Sequence, residues 1–459
     1  MGWPPRRRRP QSCVGNERSG GDCRLIHRIW LHNFDIDGIN NRVVASARKK
    51  NLMPESLTPK IRVAGQLGRI GAHIINERLR RPKPTTLAEI PPSVDALTPE
   101  WLTAALCHGH PGAWVTAVST ASGSDGSTSR RVLTVDYNDV GHQAGLPTSV
   151  FTKSTPKFTS RAITVPSAAL TCEALFYDRI RPTLDIEAPR GYYMTVDNRS
   201  GRSMFLMEDV ASAKNATFGD PTKHYIDRTR AEAIVTTLAT VHGTLWESPR
   251  FAGDLAIVKD AHRWQIDVNE TIAFPRRTLI GFDRAASVFP AGFRRRRAEV
   301  FPALMTSLAM HNSAPNTLLH SDVHSRNWYL TPNGGMGLYD WQLITRGIWA
   351  LDVSYALNSA LTVDDRRTWE RELIELYVDR LHAAGGPALS FEEAWLAYRQ
   401  QAFHGLVFWL YTIGAGRLQP AMQPDEVSLA NLERMTNMIE DLDSFGALQR
   451  SPATSARLP

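Results

Sequence analysis

The chain is 459 residues long, 42% hydrophobic and 22% charged, with a net charge of +7; this allows a large core in two or three lobes or domains and excludes a disordered chain. No window holds the roughly 18 uninterrupted apolar residues of a membrane helix, and the first residues lack the apolar stretch of a secretory signal, so the cytoplasm is the expected compartment. The four cysteines (Cys13, Cys23, Cys107, Cys172) form no CxxC pair, which excludes a zinc ribbon or disulfide framework and reads as free thiols.

The basicity sits at the front. Residues 1–84 carry 18 Lys and Arg against 6 Asp and Glu, a local +12 that leaves the remainder at −5. The run Arg6-Arg7-Arg8-Arg9 reads as a solvated, partly disordered arm; nucleic acid, anionic lipid or a targeting receptor are the partners such a run can touch, and no nucleic-acid role is expected beyond nonspecific contact. Ile61, Gly65, Gly68, Ala72 and Ile75 predict a short helix ending at Arg80-Arg81-Pro82. After a Pro/Thr-rich stretch, Thr98-Pro99-Glu100 opens a helix with Thr98 as N-cap, Pro99 at the first position, and Leu102, Ala105 and Leu106 inward.

Strand patterns follow at Trp114 to Ser119, Arg131 to Tyr137 and Thr148 to Lys153. Between the first two lies Ser122-Gly123-Ser124-Asp125-Gly126-Ser127-Thr128-Ser129, whose small residues would let backbone N–H groups approach a phosphate, although an ordinary hairpin turn has the same composition. It is neither a Walker sequence nor GxGxxG. Leu170 to Ile180 predicts an amphipathic helix with Glu173 among its apolar positions; a carboxylate there wants a cation, and Lys153 at the end of its strand is the natural candidate. Strands Gly191 to Val196 and Ser203 to Met207 then run into Glu208-Asp209-Val210.

Beyond Val210 the pattern is helical: Arg228 to Trp246, Phe293 to His311, Arg366 to Ala384, Phe391 to Gly414 and Asp425 to Leu442. The run Arg294 to Arg297 reads as the basic side of a helix start, with a collar for an anionic substrate as the alternative. Residues from about Phe445 read as a loose tail. Within this half, residues 318–342 stand apart. Leu318-Leu319 leads into His320, Asp322, His324 and Asn327; Trp328 to Leu330 turns at Asn333-Gly334-Gly335, and Met336 to Tyr339 returns to deliver Asp340. Two carboxylates and a carboxamide converge at one end of a hairpin.

The order of parts (small-residue loop, strand Lys153, helix Glu173, then His320-Ser321-Asp322-Val323-His324-Ser325-Arg326-Asn327 and, 13 residues on, Asp340-Trp341-Gln342) resembles the aminoglycoside phosphotransferase/choline kinase-like family, especially its ecdysteroid-kinase-like and related bacterial branches, over residues 95–445. The resemblance implies an α+β, protein-kinase-like bilobal fold: a basic extension (1–84), a nucleotide-binding lobe with an antiparallel sheet and one main helix (85–210), a helical catalytic and substrate-binding lobe (211–445) and a tail (446–459). It implies a small-molecule kinase that uses ATP or GTP and Mg2+ to phosphorylate a hydroxyl of a metabolite or antibiotic-like alcohol. In that reading Asp322 is the base, Asn327 and Asp340 hold magnesium, and Lys153, kept in place by Glu173, holds phosphates under the loop of Gly123 and Gly126. Glu208 and Val210 meet the adenine edge through main-chain atoms, and Asp352 ties down the catalytic loop. His320 and His324 are scaffolding.

One departure is Ser321, where such families usually have glycine; left-handed backbone there is strained for serine. It motivates a pseudokinase or nucleotide-binding module without turnover as the alternative. A metal-dependent hydrolase built on His320, Asp322 and His324 is a third reading, lacking any further histidine cluster. Trp264, Trp349, Trp409 and Tyr411 either wall an acceptor pocket or fill the helical core.

Overall fold

The computed structural model describes residues 58–450 except 122, 166, 272–273 and 417–421. The chain divides into two compact units, Met1–Gly65 and Gln66–Pro459. Of the first, only the opening turns of helix α1 (Thr58–Arg80) are described; the Arg6–Arg9 run, Cys13 and Cys23 lie outside the described residues.

In the second unit, α2 (Pro99–Leu106) starts as its sequence requires: the Thr98 hydroxyl accepts from the Trp101 N–H, Pro99 occupies the first turn, and Trp101, Leu102, Ala105 and Leu106 are buried. Strands β1 (Val115–Thr120), β2 (Ser124–Asp125), β3 (Ser129–Tyr137), β4 (Ser149–Ser154), β5 (Gly191–Asp197) and β6 (Arg202–Glu208) form one antiparallel sheet in the order β1-β3-β4-β6-β5, with β2 folded onto β3. Alternation assigns its faces. Leu133, Val135, Tyr137, Val150, Met204 and Leu206 pack with α2 in one core, whereas Phe205 and Met207 belong to the main core below. Three helices are threaded between strands: α3 (Asp139–Gln143), α4 (Phe158–Thr164) and α5 (Ala169–Leu175), the last continuing as a single π turn over Phe176–Ile180.

The helical lobe begins with α6 (Val210–Lys214) and continues through α7 (Arg228–Thr244), α8 (Ala261–Thr271), α9 (Phe274–Ala285) and α10 (Val300–Ala309). After a strand-rich stretch it resumes with α11 (Ala350–Ala360), α12 (Val363–Ala383), α13 (Phe391–Gln400), α14 (Phe403–Ile413), α15 (Asp425–Asp441) and α16 (Ser444–Ala447). The strand-rich stretch holds two small sheets. β9 (Trp328–Leu330) pairs with β10 (Met336–Leu338) and, on its other edge, with β7 (Thr217–Phe218); β8 (Thr317–Leu319) pairs with β11 (Thr345–Gly347). Gly334 turns the β9–β10 hairpin at φ +83°, a conformation side chains resist. The architecture is α+β and bilobal, with an antiparallel sheet lobe and a mostly helical lobe.

Several boundaries differ from the sequence expectation for identifiable reasons. The expected end of the extension at residue 84 is not where packing breaks, because within the second unit Glu77 is buried between Arg161 at 2.7 Å and Arg202 at 2.7 Å, tying that turn of helix to the sheet lobe. Phe391 to Gly414 is two helices: the buried Gln401 at the break donates to the Ser307 carbonyl, and its side-chain oxygen faces His311 at 2.9 Å. Phe293 to His311 is likewise broken, a 3-10 turn at Phe293–Arg296 preceding α10. Three of the four arginines of the 294–297 run are engaged within the protein: Arg297 pairs with Asp283, Arg296 with Glu299, and Arg294 with the Phe289 carbonyl. The tail expected from residue 446 overlaps α16, and Phe445 and Leu448 pack on the core.

Candidate active site

Lys153 leaves the cleft face of β4 almost fully buried and meets two carboxylates, Glu173 of α5 at 2.5 Å and Asp340 from the end of the hairpin at 2.8 Å. The segment after Glu173 is seated by Phe176, whose ring stacks on Trp341 at 3.7 Å and 6°; the residue next to Asp340 thereby locates the lobe that carries Lys153. Burial works against the Lys153 ammonium, but Asp340 and Glu173 outweigh it and hold it above its ordinary value. Burial likewise pushes Glu173 up, with Lys153 opposing. For Asp340, burial is overcome by Lys153 and then Arg130, and its carboxyl lies at about 2.

The catalytic-loop candidates are held by main-chain bonds. Ser321 is left-handed, φ +66°, as is Asp340 at φ +67°. Asp352, fully buried at the start of α11, receives the His320 N–H at 2.7 Å on one oxygen and the Ser321 N–H at 2.9 Å on the other. The Ser321 hydroxyl bonds Thr345 Oγ1 at 2.7 Å, and its carbonyl accepts from His404 Nε2 at 2.8 Å. Asp322 is thereby presented with Asn327 Nδ2 donating to its Oδ2 at 3.2 Å and Tyr355 to its Oδ1 at 3.4 Å. Burial, reinforced by Asp340 and opposed by His320, Asn327 and Tyr355, pushes the Asp322 carboxyl up to about 7. His320 uses both ring nitrogens, Nε2 donating to the Tyr339 carbonyl and Nδ1 accepting from the Asp322 N–H. His324 Nε2 lies 3.7 Å from Asp322, and burial lowers its imidazole to about 4, a neutral ring.

Asn327 closes the 3-10 turn Ser325–Asn327, and its carbonyl accepts from the Tyr339 N–H, so the carboxamide just before β9 and the Asp340 carboxylate just after β10 lie at the same end of the hairpin. Both carry a hard oxygen of the kind magnesium takes, and the pair would fit such an ion. Among the described residues no group of three or more His, Cys, Asp and Glu could hold a metal ion, and His320 is committed to its loop, so the hydrolase reading lacks a ligand cage.

An open cleft lies between the lobes, lined by Lys153, Asp340, Glu208 and Val210, with Phe151, Tyr177, Met207 and Phe218 among its apolar walls. Glu173 sits behind Lys153; Gly123 and Gly126 are on the β2–β3 side and do not line it. A Cβ on Gly123 would stand 2.0 Å from the Arg130 carbonyl, whereas Gly126 is open all round. The Glu208 N–H is already given to the Arg190 carbonyl at 2.8 Å, so the main-chain contact expected of Glu208 cannot be as a donor to a base.

Sequence reasoning missed Arg130, which β3–β4 register places opposite Lys153 and whose guanidinium approaches Asp340 to 3.7 Å; the signal was there in the alternation of β3. It also missed Tyr355, Thr345 and His404, which reach the loop from separate elements. Of the aromatic candidates, Trp349 stacks on Tyr377 in the core, while Trp264 lines a shallow recess with Ser321, His404 and Phe408. Trp409 lies against His324, and Tyr411 stacks on Phe274.

A model of the phosphotransferase enzyme family matches residues 157–395. Among solved structures, a choline kinase from Streptococcus pneumoniae is 16% identical with a TM-score of 0.38, covering 71% of this chain and 94% of its own. An aminoglycoside phosphotransferase from Alicyclobacillus acidocaldarius is 16% identical with a TM-score of 0.39, covering 72% and 91%. A spectinomycin phosphotransferase in complex with ADP and spectinomycin is 10% identical with a TM-score of 0.41, covering 72% and 94%. No curated protein matches the sequence.

Proposed function

The chain belongs to the phosphotransferase enzyme family, whose model spans residues 157–395, and on that premise we propose that it is a small-molecule kinase moving the γ-phosphate of ATP or GTP to a hydroxyl of a metabolite or antibiotic-like alcohol. The observation that carries this reading is the Lys153–Glu173–Asp340 cluster joining the lobes beside Asp322. Phosphoryl transfer asks a protein mainly for positioned charge, and that is what converges here.

Asp322 receives the hydroxyl proton as the acceptor oxygen bonds to phosphorus and the bridging bond to the nucleoside diphosphate breaks. A carboxyl at about 7 is matched to that task near neutrality. Tyr355 and Asn327 orient it. Lys153 neutralises the nearer phosphates, with Glu173 fixing its direction. Asn327 and Asp340 would hold magnesium, which supplies charge neutralisation across the phosphates when bound. Phe151, Met207 and Phe218 wall the space for the base. A cytoplasmic location is part of the same reading, since the co-substrates are supplied there.

A binding-only role was motivated by Ser321. The bonds from Asp352, Thr345 and His404 stabilise its left-handed conformation, which supports turnover instead. The test is magnesium-dependent phosphate transfer from ATP or GTP across a library of hydroxyl metabolites, with Asp340→Ala protein as the blank. Transfer seen with wild type and lost in the blank supports the kinase; tight nucleotide binding without transfer to any alcohol would favour the binding module.

A further inference from the structure

Arg130 has no part in the transfer as described, yet it stands over the carboxylate assigned to metal. Antiparallel register pairs Arg130 with Lys153 and Val132 with Phe151. Directly paired residues share a face, and Phe151 and Lys153 line the cleft, so Arg130 issues from the cleft face too. Lys153 takes Asp340 Oδ1 at 2.8 Å, and Arg130 Nη2 lies 3.7 Å from Oδ2. Each oxygen of the metal-ligand candidate therefore faces its own cation. With Glu173, the four groups are two cations and two carboxylates, balanced without any ligand.

This balance has a direction. A divalent cation arriving alone meets a carboxylate already neutralised, with two positive charges a few ångströms away in a poorly screened cleft. A polyphosphate is offered one cation that is only loosely held by its carboxylate. A guanidinium pairs with phosphate in a planar fork that a 3.7 Å carboxylate contact does not match, and Arg130 keeps 34% of its side chain exposed, against 3% for Lys153, so it is the cation free to move.

We propose that Arg130 is a second phosphate-binding residue that caps Asp340 until nucleotide phosphates draw it away, so that the metal site opens only once nucleotide is present. The proposal rests on the nucleotide reading of the cleft and adds to it an order of binding. Arg130 is a positioning residue for the metal site and a direct contact for the nucleotide.

The test uses the full chain and two binding measurements, neither depending on turnover. Mn2+ binding is followed by electron paramagnetic resonance with and without the β,γ-methylene analogue of ATP, and metal-free binding of a fluorescent ATP analogue by polarisation. Wild type is expected to bind Mn2+ far more tightly with the nucleotide than alone. Arg130→Met is expected to bind Mn2+ alone about tenfold more tightly than wild type and metal-free nucleotide about tenfold more weakly, with Arg130→Lys between them. A thermal melt checks that both variants are folded. An Arg130→Met protein whose affinity for Mn2+ alone equals that of wild type overturns the cap; unchanged metal-free nucleotide affinity overturns the phosphate contact. Failure of the nucleotide reading of the cleft looks different: wild type then binds no nucleotide under any condition, while the Mn2+-only comparison still reports on Arg130.

Discussion

At Ser321 a side chain occupies a backbone conformation that costs an L-residue about 1–2 kcal/mol. Asp352 offsets that cost by taking the His320 and Ser321 N–H groups on separate oxygens. Replacing Asp352 with alanine orphans both buried donors and is expected to lower stability by roughly 2–5 kcal/mol in urea melts. Ser321→Gly, which trades relieved strain for the lost Thr345 bond, should stay within about 1 kcal/mol of wild type. Asp322 makes a prediction with a sign. Its carboxyl is raised to about 7 from roughly 3.9 in the unfolded chain. Between those values the folded state holds a proton the unfolded state lacks, so stability falls as pH rises through that window and is lowest above it. Activity runs the other way, because the base works deprotonated. kcat/KM should climb through about pH 7 and level off, while Asp322→Asn should lose about 10²–10⁴-fold in kcat and be more stable than wild type at pH 8. A flat pH profile in wild type would remove Asp322 from the role of base.

The elements show which parts of the fold a sequence makes legible. Strand β3 declares itself by the alternation Leu133, Val135, Tyr137 and β6 by the unbroken apolar run Met204 to Met207, and Thr98-Pro99 marks a helix start by cap chemistry alone. β8 and β11 have three residues each, and β7 two, too few for any period; they exist because tertiary pairing completes their hydrogen bonds. The chemical residues of the site were legible for another reason. Lys153, Glu173, Asp322, Asn327 and Asp340 are types whose charge or hard oxygens suit the proposed phosphoryl transfer, whereas Arg130, Thr345, Tyr355 and His404 are ordinary in sequence and acquire their places only through register and packing. The π turn after α5 was invisible too, though it is what brings Phe176 over Trp341. Trp341→Ala is expected to cost about 3–5 kcal/mol. Glu173→Gln, which leaves the stack intact, should spare the fold and raise KM for nucleotide about tenfold. Equal loss of stability in both variants would mean that Glu173 serves the fold and not Lys153.

On the scale of the whole molecule, the cleft is bounded by both lobes, so a nucleotide that fills it should tie them together. At a hundred times its dissociation constant, magnesium nucleotide is expected to stabilise the protein by about 2.7 kcal/mol, read as a rise in Tm that Asp340→Ala abolishes. A Tm indifferent to nucleotide in wild type would count against the cleft as its site.

The Phe176–Trp341 stack also limits how the lobes can move. The chain passes between them at Val210, and the stacked rings make a second, non-covalent point of attachment well removed in sequence. With the Lys153–Asp340 pair beside it, the stack means that any motion parting the lobes at that edge must first break an aromatic contact and an ion pair.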